Sequence, residues 1–227
     1  MPVLLIALLV LPIIAIILVI LNTVQPPRAA PSSRAGTPPA RSVAPVVNPC
    51  CVHWQHTSLT SETDALLADP RQPGTIIAGT TTGIWISPDG GRTWQPDRTG
   101  PSNVSFLSLA GVKASAALFA GAADGRIFMR GAQRGDHWQP ISPPLAGGEP
   151  IFSLAVSSDD QVLLAGTVGA LYRGALHAGH WQWQLVAHTG DSSVPAIVWA
   201  PWDARQAFAG VFGTRPAMLR TTDGGHT

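Results

Sequence analysis

Ser87-Pro88-Asp89-Gly90-Gly91-Arg92-Thr93-Trp94-Gln95 holds a tight turn and the start of a strand in one short stretch. Asp and Ser side chains hydrogen-bond to nearby backbone groups and close such turns. Glycine takes the positive φ that a Cβ would penalise. The Trp brings roughly 150–250 Å² of surface to bury. The same turn returns as Thr221-Thr222-Asp223-Gly224-Gly225-His226-Thr227. Weaker versions occupy Gly131–Trp138 and Gly174–Trp181, which keep the Trp but carry Gln133 and Leu176 where the Asp would be.

Outward from the turn, the Trp-Gln pair recurs as Trp54-Gln55, Trp94-Gln95, Trp138-Gln139 and Trp181-Gln182, at intervals of 40, 44 and 43 residues. What precedes the last three pairs recurs with them. An apolar run (Phe106 to Ala110, Ile151 to Val156, Ala196 to Ala200) is followed by a short turn. A second run ends in Ala-Gly, at Ala78-Gly79, Ala120-Gly121, Ala165-Gly166 and Ala209-Gly210. A third run, such as Gly83-Ile84-Trp85-Ile86 or Ala170-Leu171-Tyr172-Arg173, leads into the turn before the Trp. Each run has strand length and is bounded by Gly, Pro, Asp or Ser. Four strands in a repeat of about 40–45 residues predict the blade of a β-propeller. The part of the chain from residue 50 to 227 therefore reads as all-β, with about four blades, each a separate four-stranded sheet. One blade cannot cover its own apolar faces, so stability comes from stacking.

The turn resembles the Asp-box, or bacterial neuraminidase repeat, with its pattern Ser/Thr-x-Asp-x-Gly-x-Thr-Trp. Its residues here are Ser87, Asp89, Gly91, Thr93 and Trp94, then Thr221, Asp223, Gly225 and Thr227. Proteins carrying this repeat include sortilin-type receptors, photosystem II assembly factors and xyloglucan-cleaving enzymes. The resemblance implies a structural role for Asp89 and Asp223, on the face away from the ligand. It also implies that Trp54, Trp138 and Trp181 are repeat tryptophans packed between blades. Trp54 is expected to begin an outermost strand that clasps the two ends of a ring. The repeat stops at Thr227, one residue short of a Trp, which predicts a C-terminally truncated ring with roughly two to four blades to come.

Pro2 to Leu21 carries no charged residue. Twenty residues at helical rise cover roughly 30 Å, a bilayer core. A cleaved signal peptide would start with a basic residue and have a shorter apolar stretch. Residues 1–22 are accordingly read as a retained transmembrane anchor. Residues 23–49 follow as a linker with seven prolines, three arginines and no acid, a semi-extended spacer. Those arginines favour a cytoplasmic propeller by the positive-inside rule. The resemblance and the stalk-like spacer favour an extracytoplasmic one, and this second reading is preferred.

Charge excludes one partner class. Thirteen arginines and Lys113 nearly balance thirteen acids, and the linker holds three of those arginines. The remaining domain is slightly acidic and has no basic footprint for nucleic acid. Adjacent Cys50 and Cys51 assign no redox compartment.

The resemblance would allow a sialidase, with an arginine cluster, a tyrosine nucleophile and a glutamate. Tyr172 is the sole tyrosine and stands at the strand position of Trp85 and Phe128, a packing site. A glycosidase of another kind needs two carboxylates about 5–9.5 Å apart. The loops expected on the ligand face hold Asp97, Asp124, Glu149 and Asp191. Asp159-Asp160 and Asp203 fall on the opposite face. His53-x-x-His56 and His177-x-x-His180 are short pairs without a third ligand in phase, so no metal site is assigned. No phosphate loop or nucleophile elbow is present, and no cofactor is implied. Two readings result: a membrane-anchored, non-enzymatic propeller that binds a protein, peptide or glycan on its loop face, or a glycoside hydrolase, sialidase- or xyloglucanase-like, whose acid and base include some of those four carboxylates.

Overall fold

A computed structural model of the chain describes residues 55–112, 116–131, 133 and 135–227. The anchor at 1–22, the linker at 23–49, Cys50, Cys51, His53 and Trp54 lie outside the described residues. Among the described residues no helix is long and apolar enough to cross a membrane.

Among the described residues fourteen strands alternate with turns. The first unit is β1 (Thr63–Ala68), β2 (Ile76–Thr80), β3 (Gly83–Ser87) and β4 (Gln95–Pro96), and the second is β5 (Phe106–Gly111), β6 (Leu118–Ala122), β7 (Ile127–Arg130) and β8 (Gln139–Pro140). Each is an antiparallel sheet in sequence order. Strands β9 (Ser153–Val156), β10 (Val162–Gly166), β11 (Val168–His177), β12 (His180–Trp199), β13 (Ala207–Phe212) and β14 (Ala217–Thr221) form one six-stranded sheet.

That last sheet corrects the expectation of separate four-stranded blades throughout. β12 is 20 residues long and does two jobs. Its first part pairs with β11 as the outer strand of the third unit, and Ala196–Trp199 pairs with β13 as the inner strand of the fourth. Proline explains the difference. The outer strands β4 and β8 end at Pro96 and Pro140, which have no N–H to donate. After Trp181 no proline appears until Pro195, so the strand continues. Pro195 falls in the register shift between Ser193 and Ala196, where a missing donor costs least.

Small residues in the second strands let the sheets stack. β2, β6 and β10 read IIAGT, LFAGA and VLLAG and are buried almost throughout, as strands covered on both faces must be. Gly79, Gly121 and Gly166 of these Ala-Gly pairs sit where the next unit's inner strand arrives. A Cβ on Gly79 would lie 2.8 Å from the Phe106 carbonyl oxygen. One on Gly121 or Gly166 would lie 2.8 Å from the Cβ of Ile151 or Val194. Phe106, Ile151 and Val194 are wholly buried. Two serines tie the same approach: Ser108 Oγ donates to the Ile151 carbonyl at 2.9 Å, and Ser153 Oγ to that of Val194 at 2.6 Å.

Three apolar cores result, one per seam. In the first, Ile77 and Ile84 meet Leu118, Phe128 and Trp138 of the second unit. In the second, Phe119 and Ile127 meet Leu163, Ala165, Tyr172 and Trp181. In the third, Leu164 and Leu171 meet Ala207, Ala209 and Leu219. The indoles of Trp138 and Trp181 thus lie between sheets; Trp138 is 6% exposed, and Trp181 meets Phe119 edge-on at 5.7 Å between centroids.

The turn at 87–93 closes as its residue types require. Asp89 Oδ1 accepts from the backbone N–H of Arg92 and Thr93 and from Ser87 Oγ, while Oδ2 accepts from Thr93 Oγ1. Gly91 adopts φ 91° and donates its N–H to Ser87 Oγ. The turn at 221–227 repeats these bonds around Asp223. The two weaker versions do not. Asp136 accepts from the Gln133 N–H in one. In the other β11 runs directly into β12 through Ala178 and Gly179, both at positive φ (48° and 82°), with His177 paired to His180. Two successive positive-φ residues make the tight hairpin turn that suits strand twist.

Candidate ligand-binding face

Backbone hydrogen bonds separate two faces. On one, each second-to-third-strand turn is joined to the connection entering the next unit: Asn103 N–H to the Thr82 carbonyl, Leu145 N–H to that of Gly125, and Val194 N–H to that of Thr167. On the other, first-to-second-strand turns meet third-to-fourth-strand turns, as in Gly90 N–H to the Gly74 carbonyl and Gly224 N–H to that of Arg205. The Asp89 and Asp223 turns belong to this second face. Asp159, Asp160 and Asp203 sit there too, in the turns between β9 and β10 and between β12 and β13.

The four carboxylates expected on the first face have four different environments. Asp97 follows β4 but turns into the seam between the first two units, and its side chain is 4% exposed. Oδ1 accepts from the Thr99 N–H and Oγ1, at 3.0 and 2.6 Å. Oδ2 accepts from an Arg130 terminal nitrogen at 2.6 Å and from Trp138 Nε1 at 2.9 Å. Burial alone would raise this carboxyl's pKa. The hydrogen bonds from Thr99 and Trp138, with the Arg130 charge, outweigh burial and hold it below the ordinary value. Burial lowers the pKa of Arg130, opposed by the Asp97 charge, but a guanidinium stays charged throughout. Arg130 also stacks on Trp138, 5.4 Å from the ring centroid.

Asp124 lies on the turn between β6 and β7 and grips Arg126, with both Nε and a terminal nitrogen donating to Oδ2 at 2.9 and 2.6 Å. Burial raises its pKa, and the stronger pull of the Arg126 bonds and charge lowers it overall. Glu149 is exposed on the neighbouring connection. The two loops touch: a Cβ on Gly125 would come within 2.9 Å of the Gly148 Cα. Asp124 and Glu149 are therefore the pair that the fold brings near one another.

Asp191 lies in the other half of the face, on an exposed part of β12. It lines a cavity of about 650 Å³ with His188, Thr189, Thr214 and Arg215, backed by Val211 and Leu219. Sequence reasoning singled out Asp191 alone of this group. His188 lies within β12 and Arg215 in the turn between β13 and β14, and the pairing of β12 with β13 brings both to one cavity. The cavity offers a carboxylate, a guanidinium, an imidazole and hydroxyls against an apolar wall. Few polar groups converging on an apolar lining are what small ligand sites share. Among the described residues no group of three or more His, Cys, Asp or Glu is placed to hold a metal ion.

Solved structures similar to this one share its architecture. An ancestral GH74 enzyme superposes with a TM-score of 0.57 at 18% identity, covering 72% of this chain and 24% of the other. The GH74 xyloglucanase from Xanthomonas campestris gives 0.54 at 23%, covering 67% and 26%. The extracellular domain of a hybrid two-component system from B. thetaiotaomicron gives 0.58 at 14%, covering 76% and 22%. The propeller domain of Swd1 from Myceliophteria thermophila also gives 0.58, at 11%, covering 73% and 54%.

The fold is that of the β-propeller.

The chain spans about a quarter of the length of the GH74 enzymes it superposes on. No protein-family model matches the sequence, and neither does any curated protein. At these identities the likeness carries the propeller architecture alone.

Proposed function

We propose that this propeller is a binding module, not a hydrolase, and that it captures a protein, peptide or glycan segment on the face built from the second-to-third-strand turns. The state of the carboxylates carries this reading. A glycosidase needs one carboxyl kept protonated by a raised pKa and a second free to act as base or nucleophile. Asp97 is buried with both oxygens engaged, and Asp124 is held by Arg126. Both have lowered pKa values, the wrong direction for a general acid. The cavity around Asp191, His188 and Arg215 suits recognition of a polar ligand with an apolar side.

The two well-formed turns support placing the chain with the Asp-box propellers. The apolar Pro2–Leu21 and the proline-rich 23–49 segment support a membrane-tethered propeller, held off an extracytoplasmic surface by its stalk. The test uses the 227-residue protein on a panel of immobilised glycans and peptides, with release of reducing sugar measured in parallel. Retention without turnover is expected, weakened at least tenfold by Asp191→Ala or Arg215→Ala. Turnover lost on Asp124→Ala or Glu149→Ala would overturn the binding reading in favour of a glycoside hydrolase.

A further inference from the structure

A cavity of about 640 Å³ lies in the seam between the first and second units, among turns of the second face. Asp69, Arg71 and Thr75 of the β1–β2 turn line one side. Arg130, at the end of β7, and Asp136, in the turn that follows, line the other.

Strand register makes Arg130 the unusual residue. Pairing sets Ser87 opposite Ile76, Arg130 opposite Leu118 and Thr221 opposite Ala207. Each of those partners stands two residues ahead of the alanine of an Ala-Gly pair. Arg130 thus occupies the place of the two hydroxyls that close the intact turns. A charge stands there that is 9% exposed. Among the described residues its only hydrogen bond is from one terminal nitrogen to Asp97. A guanidinium carries five N–H donors, so most of these are unspent. The nitrogens that make no bond are not sealed from solvent, and the residue lines the cavity.

Thr75 repeats the pattern. It is 8% exposed and lines the cavity, its hydroxyl makes no hydrogen bond among the described residues, and that oxygen is not sealed off either. Arg71 brings a second guanidinium. Its Nε and one terminal nitrogen clamp Asp69, and the other terminal nitrogen reaches the Gly131 carbonyl at 3.3 Å across the seam. Burial lowers the pKa of Arg130, the Asp97 charge opposes this, and the Arg71 charge adds to the lowering. The acids nearby leave the surplus of donors unanswered. Asp69 is spent on Arg71, and Asp97 on Thr99, Trp138 and a single Arg130 nitrogen. Asp136 takes the Gln133 N–H on one oxygen at 2.8 Å. Guanidinium forks beside a hydroxyl, short of acceptors in a water-filled recess, match the oxygens of an anion.

We propose that this cavity is an oxyanion-binding site, in which Arg130, Arg71 and Thr75 hold the carboxylate, sulfate or phosphate group of a small ligand. Sulfate and acetate are the probes, each titrated against chloride at constant ionic strength into the isotope-labelled 227-residue protein. The Nε–H resonances of Arg130 and Arg71, followed by nuclear magnetic resonance, should shift together and saturate with a Kd on the order of 1 mM. Tighter binding of sulfate assigns the site to a sulfate or phosphate group, and tighter binding of acetate to a carboxylate. Asp136→Asn keeps an acceptor for the Gln133 N–H and takes a negative charge off the wall, so it should tighten binding about threefold. Thr75→Val keeps the side chain's shape, should fold as the parent does and should weaken binding about fivefold. Shifts that never saturate, or that chloride reproduces, would overturn the proposal. So would an unchanged affinity in Asp136→Asn, where the expected gain is one that misfolding cannot imitate.

Discussion

Asp97→Ala separates a carboxylate that does chemistry from one that joins sheets. The Asp97 side chain is 4% exposed and that of its partner Arg130 is 11% exposed. Removing the carboxylate leaves the guanidinium buried without its counter-charge, which costs about 3–5 kcal/mol. It also strands the Trp138 Nε1–H, and a lost partner for such a group adds about 1–3 kcal/mol when it stays buried. These losses overlap, so we expect about 4 kcal/mol, a large share of the roughly 5–15 kcal/mol that holds a domain together. The assay is urea unfolding followed by tryptophan fluorescence. Asp97→Ala with Arg130→Met should recover part of the loss, because an apolar pair needs no charge compensation. The pH dependence has a definite sign. A carboxyl with a lowered folded-state pKa contributes stability that is complete above its unfolded value of about 3.9, and that is lost as pH falls through the folded value. Asp97→Asn should therefore flatten the loss of stability below about pH 4. A change under about 0.5 kcal/mol in Asp97→Ala, or no recovery in the double variant, would refute the seam argument.

The seam glycines predict a contrast. Gly121→Ala or Gly166→Ala forces a Cβ into the neighbouring inner strand and should destabilise by about 1–3 kcal/mol. Gly210→Ala meets nothing closer than the Ala196 Cβ at 3.9 Å and should fall within about 0.5 kcal/mol of the parent, or slightly above it. Equal effects at the three sites, read from denaturant midpoints, would contradict the stacking order. Asp89 provides a titration test. The Thr93 hydroxyl and then the Thr93 N–H hold its carboxyl down to about 2. By the same sign rule, its support for the turn is present above about pH 4 and lost as pH falls toward 2. A carboxyl carbon resonance titrating near the ordinary value of about 3.9 would show that the turn is not closed this way.

The architecture was legible because it repeats. Ala-Gly pairs, three short apolar runs and a Trp at one phase are visible without coordinates, and each has a packing reason at the seam. Two things were less visible. The fusion of the third and fourth units through β12 rests on a missing proline after Trp181, a signal readable only against Pro96 and Pro140. Trp183, one strand-alternation beyond Trp181, belongs to no repeated motif, yet its Nε1 donates to the Ile141 carbonyl at 2.9 Å across the second seam. The candidate site was legible only as a face. Position in a loop located Asp97, Asp124, Glu149 and Asp191, but the partner that sets each one's role lies beyond any local motif. Arg130 is 33 residues from Asp97, and His188 and Arg215 line one cavity only because β12 pairs with β13.

The propeller arrangement rests on tryptophans clamped between successive sheets, and nuclear Overhauser contacts measure that directly. The account predicts cross-peaks from the Trp138 ring protons to the methyl groups of Ile77 and Ile84, and from the Phe119 ring to that of Trp181. The Trp138 Nε1 proton, donated to Asp97, should exchange slowly with solvent. A Trp138 ring without contacts to the first unit, its Nε1 proton exchanging as fast as that of a free indole, would contradict it.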